Sequence, residues 1–185
     1  MKFGPRAKLL ALFGLFALPI VASLVTYQLY TPAETSNYGE LLPVRPAPDQ
    51  VFATAAGPAF RFADLAGKWV LVASDSGACA APCLEKLTAM RQARLALGRN
   101  AGRVERVFVV DDTQAPAPGL AGEFPGMAIV LTPQGMTLPA APANDRAHIY
   151  LLDPRGNVMM RFPAAVDSKR LLRDLNRLLR ASQMG

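Results

Sequence analysis

Trp69-Val70-Leu71-Val72-Ala73 is followed, after five residues, by Cys79-Ala80-Ala81-Pro82-Cys83. The first segment is an unbroken apolar run, which predicts a buried β-strand. From Cys83 to Leu97 apolar residues recur at helical spacing, so we expect an amphipathic helix that is ended by Gly98 and Asn100. The sequence therefore places a cysteine pair where a buried strand leads into a helix.

Cys79 and Cys83, the only two cysteines of the sequence, are predicted to form a reactive site rather than a structural staple. A disulfide between them closes so short a loop that it restricts the unfolded chain very little. Four residues of helix separate two Cα atoms by roughly 6 Å, which permits either a disulfide or binding of one soft metal ion by both sulfurs. The N-terminus of a helix also favours the thiolate form.

Residues 1–30 are expected to form a membrane anchor. Three basic residues precede an almost uninterrupted apolar stretch from Leu9 to Val25, which with the following residues is about long enough to cross a bilayer. A cleavable signal peptide is the alternative, and Ala22-Ser23 is its one weak cleavage site. Because the basic residues precede the span, we expect a single-pass protein of the bacterial inner membrane with its C-terminal part in the periplasm.

The composition excludes several classes of function. The formal charge of +6 includes three of the 20 Lys and Arg in the anchor, which leaves 17 against 14 Asp and Glu in the exported part, so nucleic-acid binding is not indicated. A mildly basic surface would suit anionic headgroups or an acidic partner, and an ordinary solvated surface is the alternative. Two cysteines and one histidine are too few for a structural zinc site.

The exported part is expected to contain a Pro-rich linker, residues 31–49, and one domain, residues 50–185. Its elements are predicted in the order strand, helix, strand, middle segment, hairpin, helix, which is typical of an α/β thioredoxin-like sandwich with a central mixed sheet flanked by helices. Besides the strand and helix already described, the first part of the domain is predicted to contain a short strand at 60–62, strands at 106–110 and 127–131, and an irregular segment at 115–125. The last part is predicted to contain a turn at 132–135, a hairpin formed by 148–153 and 158–162, and a helix capped by Ser168.

These residues together resemble the Sco/SenC family, the membrane-anchored thioredoxin-like proteins of cytochrome c oxidase assembly. Besides the anchor, three motifs carry the resemblance, and they cover most of residues 58–180: Phe62-x-Asp64-Leu65-x-Gly67-Lys68, Cys79-x-x-x-Cys83 with Pro82, and Tyr150-Leu151-Leu152-Asp153-Pro154-Arg155-Gly156. Thioredoxins and most thiol oxidoreductases have two residues between the cysteines, so the spacing of three favours Sco.

The resemblance implies a copper site formed by Cys79, Cys83 and one distant histidine. At the family's histidine position this sequence has Asp145, and its only histidine, His148, lies three residues later. An odd shift along a strand turns a side chain to the opposite face, so His148 is a ligand only if the preceding loop is rearranged. The alternative is a strand residue with an ordinary hydrogen bond.

Two further sets of side chains are candidate ligands or catalytic groups. Thioethers suit Cu(I), although methionine more often fills the core, and the candidates are Met127, Met136, Met159 and Met160. Asp111 and Asp112 end a predicted strand at the edge where a thioredoxin-like site lies, either as catalytic carboxylates or as a solvated strand end.

The leading hypothesis is that Cys79 and Cys83 deliver copper to the copper-bearing subunit of cytochrome c oxidase. The alternative is a thiol:disulfide oxidoreductase that reduces cysteines of that copper site or of other exported proteins. In it, an exposed Cys79 attacks a disulfide and Cys83 resolves the mixed disulfide, without any need for His148. A third hypothesis is an assembly factor whose disulfide is incidental.

Overall fold

The computed structural model describes residues 4–29, 37–55, 57–132 and 145–182, which divide into two compact units, Met1–Ser36 and Asn37–Gly185. The first unit contains helix α1, Pro5–Leu29. Within it, residues Lys8–Gln28 have a mean hydropathy of 2.4 and are not buried. This helix is long and apolar enough to cross a membrane, in agreement with the predicted anchor.

The second unit is built on a seven-stranded mixed sheet with strand order β1-β7-β6-β3-β4-β5-β2. Strand β4 lies parallel to β3 and β5, and the other neighbours are antiparallel. The strands are β1 Glu40–Pro46, β2 Ala53–Thr54, β3 Trp69–Asp75, β4 Val104–Val110, β5 Met127–Leu131, β6 His148–Leu152 and β7 Asn157–Pro163. The helices are α2 Ala81–Ala96, α3 Leu120–Glu123 and α4 Ser168–Ala181, with 3₁₀ turns at Phe62–Leu65 and Gly98–Arg103.

The two faces of the sheet bury separate apolar clusters, because side chains alternate along each strand. Leu71 and Ile149 point to the face covered by α2 and α4, and both cysteines belong to that cluster. Val72 and Tyr150 point to the other face, which packs against an aromatic cluster. This cluster comprises Phe52, Phe60 and Phe62, and the ring of Phe62 meets each of the other two edge to face. The thioredoxin-like α/β sandwich is therefore confirmed, with the cysteines on the α2 face.

The predicted linker of residues 31–49 was wrong in its second half. Glu40–Pro46 is an edge strand that pairs with β7, and a bulge separates Leu41 from Arg45. An edge strand tolerates proline because one side of it needs no ladder hydrogen bonds, so the prolines did not prevent pairing. Residues 31–36 of the predicted linker lie outside the described residues.

Smaller differences have local causes. Residues 62–65 form a 3₁₀ turn, and of the predicted short strand only Phe60 pairs, in a single bridge with Phe52. The segment predicted to be irregular contains α3, which buries Leu120. Helix α4 is capped by Asp167 rather than Ser168, since its carboxylate accepts hydrogen bonds from two backbone N–H groups. Beyond Thr132, the predicted turn at 132–135 lies outside the described residues.

Candidate functional site

Cys79 and Cys83 form a disulfide with a Cα–Cα distance of 5.1 Å. Cys79 lies before the cap of α2, whereas Cys83 lies in the first turn of that helix. Pro82 fits between them because the first turn of a helix needs no partner for its backbone N–H groups. Cys79 has a φ of 41°, the one positive φ outside glycine in the described residues. A non-glycine residue in this conformation is strained, which is typical of functional loops.

Both cysteine side chains are turned inward. Cys79 is 3% exposed and Cys83 is 1% exposed, and both pack against the core on the α2 face. The residues around them, Ala78 and 80–82, are exposed. The expectation of an exposed Cys79 was therefore wrong for the disulfide form, and a reacting group reaches the sulfurs only when this segment moves.

Asp112 holds the loop that carries Cys79. Its carboxylate accepts hydrogen bonds from the backbone N–H groups of Gly77 and Gln114, each at 3.1 Å. The hydroxyl of Ser76 and the N–H of Gly77 keep the pKa of Asp112 below its usual value. Beyond the two alternatives predicted from the sequence, a catalytic carboxylate or a solvated strand end, Asp112 thus holds two backbone N–H groups of neighbouring loops.

The close approach at Gly77 gives a direct test of this loop packing. A Cβ added at Gly77 would lie 2.1 Å from the carbonyl oxygen of Gln114, so Gly77→Ala should cost about 2 kcal/mol and lower the melting temperature of the full chain in detergent. Gly102→Ala is the matched control, because a Cβ there meets nothing within 4 Å. Equal melting temperatures for the two variants would contradict the packing described.

A buried cation lies one helical turn after Cys83. Lys86 is 1% exposed, and its Nζ donates hydrogen bonds to the carbonyl of Ser74 at 2.8 Å, to Asp75 Oδ2 at 3.0 Å and to the carbonyl of Arg146 at 2.9 Å. All three ammonium protons therefore have acceptors. Lys86 connects the end of β3 to the segment that leads into β6.

Arg146 extends this network to the end of β4. Its guanidinium binds both carboxylate oxygens of Asp111, which is buried, and lies 3.5 Å from Asp112 and 3.8 Å from Asp75. The hydrogen bond to Asp111 raises the pKa of Arg146 above its usual value. Sequence reasoning identified the two aspartates but missed Lys86, Asp75 and Arg146. The sequence feature that could have predicted this network is Lys86, a charged residue three positions after Cys83 on the apolar side of a helix.

His148 lies away from the cysteines. Its Nδ1 is 2.7 Å from Asp145 Oδ2, an oxygen that also accepts a hydrogen bond from the Tyr150 hydroxyl, and its ring packs against that of Tyr150. Since Tyr150 belongs to the aromatic face, His148 points to the side of the sheet opposite the cysteines. Asp145 precedes β6 and its carboxylate reaches this same face, so the alternation of side chains along the strand does not extend back to residue 145.

Three groups form hydrogen bonds with the carboxyl group of Asp145. Burial raises the pKa of Asp145, but hydrogen bonds from Tyr150, the Ala147 N–H and His148 outweigh it and leave this pKa below its usual value. Burial and the bond to Asp145 raise the pKa of Tyr150. The residue at the family's histidine position is therefore engaged on the aromatic face and is not directed at the cysteines.

The described residues contain no group of three or more His, Cys, Asp and Glu that could hold a metal ion. Met127 and Met160 are buried in the core on the α2 face, and Met159 packs against it, which agrees with core filling. Met136 lies outside the described residues. Among the predicted ligands in the described residues, Cys79 and Cys83 lie together and provide soft sulfur donors that suit Cu(I), and His148 lies on the other face of the sheet.

Solved structures with this fold include apo Sco1 from Thermus thermophilus, with a TM-score of 0.62, 20% identity, and coverage of 79% of this chain and 99% of that chain. Bradyrhizobium japonicum ScoI with copper bound gives a TM-score of 0.55 and 20% identity over 75% of this chain and 98% of that chain. A putative protein disulfide isomerase from Bacteroides thetaiotaomicron gives a TM-score of 0.56 and 15% identity, and the match covers 78% of this chain and 94% of that chain. The Sco/SenC resemblance is thus confirmed as a likeness of fold, which these proteins share with a putative disulfide isomerase.

No curated protein sequence matches this chain. A family model described as the transmembrane-like, thioredoxin-like, C-terminal domain matches residues 69–182. The match begins at β3, includes both cysteines and the buried Lys86 network, and extends through α4, so it covers more than half of the chain. The chain therefore belongs to the transmembrane-like, thioredoxin-like family.

Proposed function

We propose that this protein exchanges thiols and disulfides on the periplasmic side of the bacterial inner membrane, and that it acts on the copper-bearing subunit of cytochrome c oxidase during assembly. The observation that carries the proposal is the bonded pair Cys79–Cys83, on the opposite face of the sheet from His148. Two sulfurs in bonding contact are sufficient for exchange, whereas a copper site of two cysteines and His148 needs all three groups on one side.

Exchange proceeds from the reduced protein. The Cys79 thiolate attacks one sulfur of a target disulfide, forms a mixed disulfide and releases one target thiolate. The Cys83 thiolate then attacks the sulfur of Cys79 and releases the second target thiolate. Two electrons pass to the target, whose thiolates take up protons, and this protein becomes the disulfide. An external dithiol reductant restores the reduced form.

Cys79 is assigned as the attacking residue because of its position. It precedes α2 in a loop whose neighbouring residues are exposed, whereas Cys83 is fixed within the first turn of the helix. The backbone N–H groups at the start of α2 are not used within the helix, and they favour a nearby negative charge. A thiolate at Cys79 is therefore stabilised next to the segment that a target would contact.

The likeness of fold to Sco proteins supports the choice of target. A cysteine pair must be reduced before it binds copper, because the thiolate is the ligand and a disulfide has none. A membrane-anchored reductant of such a pair fits the apolar α1 and the cysteine site of this chain.

Carriage of copper is the second candidate, because the same two sulfurs, once reduced, form a two-thiolate site. Such a site suits Cu(I), for which soft sulfur donors are preferred. Structures of Sco proteins with copper bound share this fold. In this version Cu(I) is the cargo, and the protein passes it to the oxidase subunit by exchange of thiolate ligands.

His148→Ala separates this proposal from a three-ligand copper site. We expect the reduced full-length variant to reduce the oxidised copper-bearing subunit at the wild-type rate and to bind Cu(I) with unchanged affinity, because the ring contacts Asp145 and Tyr150 rather than the cysteines. Thiol counting by mass spectrometry and copper titration measure the two effects.

The control is protein with both cysteines alkylated, which should neither reduce the subunit nor bind copper. Loss of Cu(II) binding by an order of magnitude or more in His148→Ala would instead support the three-ligand site. A subunit that stays oxidised in the presence of the reduced wild-type protein would refute the exchange proposal.

A further inference from the structure

The exposed side of α4 is uniformly basic. Leu171, Leu175 and Leu179 pack in the core, and the one carboxylate within the helix, Asp174, is buried. Five cations occupy the exposed positions: Lys169, Arg170, Arg173, Arg177 and Arg180. These five side chains form the basic face of α4. With no exposed carboxylate inside the helix, it presents positive charge along its whole length.

The start of the folded unit is attached to this same helix. Asp174 Oδ2 accepts hydrogen bonds from the N–H groups of Tyr38 at 2.8 Å and Gly39 at 2.9 Å. The guanidinium of Arg170 lies 4.2 Å from the centroid of the Tyr38 ring, and Arg177 donates a hydrogen bond to Asn37 at 3.3 Å. Residues 37–39 are thus fixed to α4 by a buried carboxylate and by two members of the basic face.

The chain between α1 and this attachment is short. Helix α1 ends at Leu29, and Asn37 follows eight residues later. Eight residues extend over about 29 Å at most. A membrane that contains α1 is therefore always within reach of the part of the chain that is fixed to α4.

We propose that the basic face of α4 binds anionic phospholipid headgroups of the membrane that contains α1. Lys and Arg near an anionic bilayer are attracted to it, and the attraction falls off within a Debye length of about 8 Å at physiological salt. An acidic protein would suit the same charge. However, the short chain between Leu29 and Asn37 keeps the membrane at a high effective concentration near this helix, and it does so for no other partner. The inference is independent of the chemistry at Cys79 and Cys83.

The test uses the full chain in nanodiscs of phosphatidylcholine alone or with about 30% phosphatidylglycerol. Arginine side chains are modified with phenylglyoxal, and mass spectrometry measures the rate at each site. We expect modification of Arg173 and Arg180 to be about fivefold slower or more in the anionic discs, and this difference to disappear in about 0.5 M NaCl. Arg155, exposed in the turn between β6 and β7, is the internal control and should react equally in both.

A pair of variants with the same change in charge completes the design. The readout is the slowing of Arg170 modification in anionic discs relative to neutral discs. One triple variant should abolish this slowing: Lys169→Gln, Arg173→Gln and Arg180→Gln. The control triple variant should retain it: Arg45→Gln, Arg61→Gln and Arg155→Gln. Equal rates at Arg173 in neutral and anionic discs would overturn the proposal. So would equal slowing at Arg155, or protection that appears only when the oxidase subunit is added, since the last result identifies a protein partner. Disulfide exchange with a small substrate should be unchanged in both triple variants.

Discussion

Cys83→Ala should trap the protein in a mixed disulfide with its proposed target, and net exchange should fall by about two orders of magnitude or more. Cys79 remains able to attack, but no second thiolate is present to release the target. Alanine is the suitable replacement because Cys83 is 1% exposed in an apolar cluster, where a serine hydroxyl would lack a partner. Non-reducing electrophoresis and mass spectrometry of the adduct measure the result.

Cys79→Ala is the matched variant, because it removes the attacking sulfur and leaves Cys83 buried. We expect neither an adduct nor exchange. Both variants should lose little stability from the missing bridge itself, since so short a loop hardly restricts the unfolded chain. Trapping through Cys83 in the Cys79→Ala protein would reverse the assignment of the two roles. Full exchange by either variant would refute the proposed function.

Asp75→Asn should cost about 3 kcal/mol of unfolding free energy, because it leaves the buried ammonium of Lys86 without its counter-charge. The carbonyls of Ser74 and Arg146 still accept hydrogen bonds from Lys86, so the cost falls at the lower end of the range for a broken buried pair. Urea unfolding of the full chain in detergent, followed by the fluorescence of Trp69, measures the loss. This tryptophan is suitable because it is the only one in the sequence and is buried.

Lys86→Met is the control for this prediction, since it removes the cation and replaces it with an apolar side chain of similar length. It should cost less than Asp75→Asn, about 1 to 2 kcal/mol, because the carboxylate of Asp75 that it leaves is partly exposed and lies 3.8 Å from Arg146. Adding Lys86→Met to Asp75→Asn should recover much of the lost stability. If Asp75→Asn lowers the unfolding free energy no more than Lys86→Met does, Asp75 does not stabilise the buried charge of Lys86.

The central strands could be predicted because each is a buried apolar run, and the β6–β7 hairpin because Pro154-Arg155-Gly156 separates two such runs. Strand β1 could not be predicted in this way. Its residues are mostly exposed and include Pro43 and Pro46, and its place in the sheet comes from backbone pairing with β7. An edge strand of this kind leaves almost no apolar pattern in the sequence.

The position of the cysteines between a strand and a helix followed from local spacing, which is fixed by the periods of strand and helix. The charged network did not, because it joins distant parts of the chain. Lys86 and Arg146 are 60 residues apart, and Arg146 and Asp111 are 35 apart. Only the order of strands in the sheet brings such residues together.

Because both sulfurs point inward, access to the disulfide determines which reductants can react with the oxidised protein. A small thiol in solution reaches the disulfide only after the segment around Ala78 and residues 80–82 has opened, so the free energy of opening adds to the barrier for reduction. A protein reductant that binds this exposed segment can offset the opening with binding energy, which a small thiol cannot do. We therefore expect small thiols to reduce this disulfide more slowly than a reductant that recognises the surface above it.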